Sequence, residues 1–146
     1  MAKAFANCPP ISELLVQRGI TSVDEAEKFF HPSLKDMHDP FLMPDMDKAV
    51  NRLNQAMGLK EKTMVFGDYD VDGITATATL YTYLTKLGAQ VKTFLPNRYI
   101  DGYGLNIDTI NKVLEDEIPD LLITVDCGIT AVNEVECLKA KGIDVI

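Results

Sequence analysis

From Thr63 onward the chain alternates short apolar runs with longer amphipathic stretches, and this alternation restricts the fold more than any other feature. Thr63-Met64-Val65-Phe66 reads as a short buried strand. Gly73 to Leu87 carries Leu80, Leu84 and Leu87 at helical spacing and stops at Gly88. Gln90 to Leu95 predicts a second strand, ended by Pro96, and Asn106 to Glu115 a helix. Leu121 to Val125 predicts a strand, Thr130 to Lys141 a helix stopped by Gly142, and Ile143 to Ile146 the start of another strand. Strands that alternate with helices of about 10–15 residues form β-α-β units, hence an α/β fold with a mainly parallel sheet. In such sheets ligands bind at the carboxyl ends of the strands. Three polar segments follow strands, Gly67 to Asp72, Asn97 to Gly104 and Asp126 to Thr130. Right-handed crossovers gather all three on one edge.

The first sixty residues are helical in character. Ser12 is placed to cap a short helix through Arg18, ended by Gly19. Ser22 with Glu25 fits a capping box ahead of Ala26, Phe29 and Phe30, and His31-Pro32 breaks that helix. Pro32 to Pro44 is loop-like. A third helix is expected from about Asp45 to Met57, with Val50, Leu53 and Met57 on one stripe and Gly58 after it. The division expected is a helical N-terminal extension over residues 1–60 and an α/β part over residues 61–146.

The chain has 146 residues, 47% hydrophobic and 25% charged, which excludes disorder and repetitive fibrous classes. No apolar run approaches the ~18–20 residues that span a bilayer, so no membrane partner is expected. Met1 to Phe5 lacks an apolar signal core. Three cysteines, Cys8, Cys127 and Cys137, form no CxxC and read as reduced thiols of a cytoplasmic protein. The net charge of −8 disfavours a generic nucleic-acid coat, which needs a basic field. It leaves room for a nucleic-acid enzyme whose carboxylates hold cations. The sequence closes on Gly142-Ile143-Asp144-Val145-Ile146, an apolar run with no polar tail, so continuation beyond Ile146 is expected.

The chemistry concentrates in the acidic loops. Gly67-Asp68-Tyr69-Asp70-Val71-Asp72-Gly73 sets three mutually repelling carboxylates after a strand. In extended backbone Asp68, Asp70 and Asp72 share a side. Hard oxygen ligands on one face suit Mg²⁺ or Mn²⁺. Helix capping would need one of them; three exceed it. The same run opens like an EF-hand loop, but position twelve is Thr79 where a bidentate Glu is required, and a strand precedes it. Asp126-Cys127-Gly128 ends a strand whose position makes Asp126 face the first acidic loop. Cys127 reads as a small packed thiol. In the middle loop, Arg98 suits a phosphate, and an exposed pair with Asp101 is the equal alternative. Gly102 and Gly104 permit close ligand approach. His31 and His38 lie far upstream of the acidic loops and read as surface or packing residues. No GxGxxG or GxxxxGKT motif follows a strand, so dinucleotide and P-loop readings have no support.

Together these loops resemble the RecJ-like exonucleases of the DHH phosphoesterase superfamily. The resemblance is carried by Gly67 through Thr75, by Pro96-Asn97-Arg98 with Asp101-Gly102-Tyr103-Gly104, and by Val125-Asp126-Cys127-Gly128. Pro32-Ser33-Leu34, His38-Asp39-Pro40-Phe41 and Pro44-Asp45-Met46 resemble that family's N-terminal extension. Val65 and Phe66 stand where many superfamily members have a His, and Asp101 stands where a Glu is usual. The resemblance implies a three-layer α/β/α architecture. It implies a two-metal Mn²⁺ or Mg²⁺ site with Asp68, Asp70 and Asp126 as catalytic metal ligands and Asp72 as a weaker one. Arg98, Gly102 and Tyr103 are the implied substrate contacts. The implied activity is 5′→3′ hydrolysis of single-stranded DNA in repair and recombination. The family's Asp-His-His is expected beyond Ile146, so the residues present are expected to be inactive alone. Hydrolysis of short oligonucleotides or cyclic dinucleotides, and a non-catalytic metal-stabilised module, are the alternatives.

Overall fold

The computed structural model describes residues 8–146, which divide into two compact units, one ending at Pro44 and the other spanning Asp45–Ile146. The reading of Met1 to Phe5 lies outside the described residues.

In the first unit α1 covers Pro9–Gln17, not a helix started by Ser12. Pro9 and Pro10 occupy the first turn, where a missing N–H removes no helical bond and the fixed φ favours the helix. Gly19, at φ 79°, ends it as expected. Helix α2, Val23–Phe30, starts on the expected capping box: Ser22 Oγ accepts from Glu25 N at 3.2 Å, and Glu25 Oε2 accepts from Ser22 N at 2.9 Å. Two single 3-10 turns, Leu34–Asp36 and Pro40–Leu42, follow.

The second unit opens with α3, Met46–Leu59, which runs through Gly58. Its stop is Lys60 at φ 57°, with Lys60 N–H donating to Met57 O and Glu61 N–H to Ala56 O. An exposed glycine weakens a helix without ending it when the closing bonds form one turn later. The boundary expected at residue 60 thus separates α3 from a sheet with which it shares a compact unit.

Four strands follow: β1 (Lys62–Phe66), β2 (Gln90–Phe94), β3 (Leu121–Thr124) and β4 (Asp144–Val145), all parallel in the order β2-β1-β3-β4. The connecting helices are α4 (Val71–Lys86), α5 (Ile107–Asp116) and α6 (Val132–Ala140). Apolar residues of the sheet alternate between two cores. Met64, Phe66 and Leu122 pack with Ile110 and Val113 of α5 and Leu138 of α6. Val65, Leu121 and Ile123 pack with Ala56 of α3 and Leu84 of α4. Helices therefore cover both faces, giving three layers. Each buried Leu or Phe contributes about 1.5–3 kcal/mol. The chain leaves β1 toward β2 and leaves β3 toward β4, in opposite directions. The crevice between β1 and β3 is thus the topological switch point, where parallel sheets place ligands. Among the described residues no helix is long and apolar enough to cross a membrane.

Candidate metal centre

Strand register assembles the acidic edge. Phe66 pairs with Thr124, and the ladder extends by Val125 N–H donating to Phe66 O at 2.9 Å. Asp68 and Asp126 each lie two residues past that pair, so the switch point receives a carboxylate from either side. Asp68 is 1% exposed, and its Oδ1 is buried without a hydrogen-bond partner. Asp126 sits at φ 58°, a left-handed conformation uncommon outside glycine but tolerated by Asp.

Two glycines let the strand turn directly into α4. A Cβ at Gly73 would lie 2.5–2.7 Å from the O, N and C atoms of Asp68. One at Gly67 would lie 2.0 Å from Thr77 Oγ1. The close approach makes Asp70 the N-cap of α4, its Oδ1 accepting from Gly73 N–H at 3.0 Å. The expected alternation of three aspartates in extended backbone stops there, because Val71 already begins the helix. Asp72 is an exposed first-turn residue and borders a cleft with Thr75, Ala76, Thr79, Leu80, Tyr83 and Val125.

The electrostatics tie these groups together. The Asp126 carboxyl is pushed above its ordinary range by desolvation first, then by the charge of Asp70 and a hydrogen bond with it, and by Asp72 and Asp68. The Tyr103 phenol is raised chiefly by the charge of Asp68, with desolvation, Asp126 and Asp70 adding to it. Tyr103, on the middle loop, meets Tyr69 of the acidic loop, and a Cβ at neighbouring Gly104 would lie 4.0 Å from Cys127 O, so all three strand-end loops gather on one edge. Burial, with Asp68 and Asp126 nearby, pushes the Cys127 thiol up to about 11. It remains a neutral packed thiol, donating to Val125 O at 3.2 Å.

The middle loop answers one open alternative. Asp101 pairs with Lys112 and accepts from Asn97 N–H, and the Lys112 bond, first, holds its carboxyl below the usual range. Arg98 instead lies over the Tyr69 ring at 5.4 Å, and Tyr69 meets Tyr103 edge-on at 6.3 Å. The guanidinium is thus held against Tyr69, which stands between Asp68 and Asp70 in the chain, and Asp101 is paired elsewhere. Asn106 locks the loop: its Nδ2 donates to Asp101 O at 2.9 Å, and its Oδ1 caps α5 at Thr109 N–H. Gly102 and Gly104 take φ 77° and 65°.

Tyr69, Thr77 and Lys112 were not singled out by sequence. Tyr69 stands inside the acidic motif, and an aromatic ring between two carboxylates is the available signal. Thr77 sits within a run of alternating Thr and Ala that carries no signal. His31 and His38 are exposed in the first unit, and the second unit has no histidine. Among the described residues no three His, Cys, Asp or Glu side chains already stand in ligating arrangement. The carboxylates nevertheless fit a hard divalent cation: all donors are oxygens, they crowd one another, and one buried oxygen lacks a partner.

Comparison with known proteins gives concordant results. Residues 62–146 match the model of the DHH family, N-terminal domain. The single-stranded-DNA-specific exonuclease RecJ of Bacillus subtilis is 42% identical over 138 residues, 94% of this chain and 17% of that protein. Its namesake from Haemophilus influenzae is 34% identical, over 100% of this chain and 25% of the relative. Among solved structures, RecJ in complex with Mn²⁺ from Thermus thermophilus superposes with a TM-score of 0.65 at 31% identity, over 90% of this chain and 17% of that one. An exonuclease RecJ bound to manganese gives a TM-score of 0.61 at 41% identity, over 67% of this chain and 25% of that one. The chain thus spans a quarter or less of the length of these relatives.

Proposed function

We propose, from the premise that this chain belongs to the DHH family, that its carboxylate edge holds Mn²⁺ or Mg²⁺ for phosphodiester hydrolysis in single-stranded DNA. The observation that carries this reading is the convergence of Asp68, Asp70 and Asp126 at the switch point, with a buried, unpartnered oxygen on Asp68. The cations, when bound, lower the pKa of an attacking water and stabilise charge on the phosphate. Asp68, Asp70 and Asp126 hold them, and Asp72 adds negative potential from the first turn of α4. Arg98, over the Tyr69 ring, presents its guanidinium to a phosphate oxygen. Tyr103 offers a ring face to a base, and Gly102 brings the loop backbone close to the strand. Cleavage from the 5′ end, a role in DNA repair and recombination, and a cytoplasmic location complete the reading. Free Cys8, Cys127 and Cys137 agree with a reducing compartment.

Calorimetric titration with Mn²⁺ tests the metal half: wild type binds and Asp70→Ala does not. Equal heats from both would defeat it. The activity half is tested by replacing the matching segment of the Bacillus subtilis relative with residues 1–146. The hybrid should digest 5′ single-stranded DNA in Mn²⁺, and a folded hybrid without digestion refutes the exonuclease reading.

A further inference from the structure

Asp68 Oδ1 and Thr77 Oγ1 are both buried side-chain oxygens without a hydrogen-bond partner among the described residues. The other two buried polar atoms without a hydrogen bond, Arg52 Nη1 and Glu61 Oε2, belong to residues that form an ion pair at 2.7 Å. Thr77 Oγ1 lies against the backbone of Gly67, the residue before Asp68. Thr77 rises from α4, 3% exposed, with its hydroxyl so close beneath Gly67 that a Cβ there would lie 2.0 Å away. Gly73, one turn earlier on the same helix, approaches the Asp68 backbone, and its carbonyl lies 3.0 Å from that same Cβ position at Gly67. The Gly67-Asp68 backbone is therefore seated on two contacts of one helix, and one of them ends in an unused hydroxyl.

A buried hydroxyl without a partner is destabilising, because its desolvation is not repaid. Valine has the same shape and would remove that cost. A threonine here is explained if the hydroxyl gains a partner when Asp68 does. Mg²⁺ and Mn²⁺ sites keep bound water, and such water donates hydrogen bonds to neighbouring oxygens. We propose that Thr77 is a positioning residue for the cation held by Asp68: it supports the strand-to-helix turn from below, and its hydroxyl accepts from a water of the loaded site. This rests on the metal reading of the same carboxylates. It adds a partner beyond the acidic motif, on the second turn of α4.

Thr77→Val separates this role from plain packing, because the two predict opposite signs. The melting temperature of the metal-free chain should stay level or rise, since an unpaired polar group is removed. The Mn²⁺ affinity by calorimetry should fall by about tenfold or more, as for other outer partners of metal ligands. Thr77→Ser, which restores the hydroxyl, should recover most of that affinity. Unchanged Mn²⁺ affinity in a folded Thr77→Val chain would overturn the assignment while leaving the metal reading intact. So would a lower affinity that Thr77→Ser fails to recover. Absence of Mn²⁺ binding by the wild type would instead overturn both.

Discussion

The two ends of the sheet use the same acidic residues in opposite ways. At the amino end the carboxylates are partnered: Asp120 accepts from Lys62 N–H at 2.8 Å, and the others have bases. Arg52 bridges Glu61 and Asp144 at 2.7 and 2.5 Å, and Lys62 and Lys92 reach Glu117 at 3.0 and 3.2 Å. At the carboxyl end, Asp68, Asp70, Asp72 and Asp126 have no ion pair with Lys or Arg among the described residues. Arg98, the nearby base, is turned onto an aromatic ring. One end is closed electrostatically, so its acids are structural. The other keeps an unneutralised charge, which a protein sustains where something positive is to arrive.

The largest effect expected from this contrast is at the carboxyl end. Asp68→Asn with Asp126→Asn should lower Mn²⁺ affinity by more than the ~10–100-fold typical of outer partners. The metal-free chain should melt no lower, because like charges are relieved. A calorimetric affinity within about threefold of wild type would erase the distinction between the ends. At the amino end, Arg52→Ala should leave Mn²⁺ binding unchanged and destabilise the chain by about 1–3 kcal/mol, since partly buried Glu61 loses its partner. Thermal unfolding and the same titration check this; a change in metal affinity without a change in stability would blur the contrast. The smallest effect is on the middle loop. The Asp101 carboxyl is held below its ordinary range in the folded chain, first by Lys112. Its contribution is therefore present above the ordinary carboxylate pKa and lost as pH falls through the lowered folded value. Amide signals of residues 97–104 should shift in that acidic window, and Asp101→Asn should abolish the transition. A transition that survives in Asp101→Asn would detach the loop from this pair.

Much of the frame was legible because it follows from periodicity. The strand runs, the helices between them and the gathering of three loops need only the alternation and the handedness of crossovers. The α2 capping box is local and was readable from Ser22 and Glu25. What escaped depended on choices between local signals of similar strength. Ser12 is a good cap, yet two prolines start α1 earlier; Gly58 is a good stop, yet Lys60 closes α3. Within the site, the reach of extended backbone past Asp70 was overestimated because Gly73 lets α4 begin at Val71. The partner of Asp101 was invisible because Lys112 lies on the following helix, brought near by the fold. Thr77 was hidden for the same reason: its meaning depends on Gly67, which is close in space through a turn that only two glycines permit.

The pairing of Phe66 with Thr124 also has a kinetic side. Parallel pairing between distant segments is a non-local contact, and such contacts slow folding because loop closure precedes their gain. Until β3 docks beside β1, Asp68 and Asp126 are apart, and the acidic loop instead flanks an exposed apolar segment, Met64 to Phe66. Charges in that position act as gatekeepers against strand-to-strand aggregation. The pairing that brings Asp68 and Asp126 together is thus the same non-local contact that closes the sheet, so the two carboxylates meet only when β1 and β3 do.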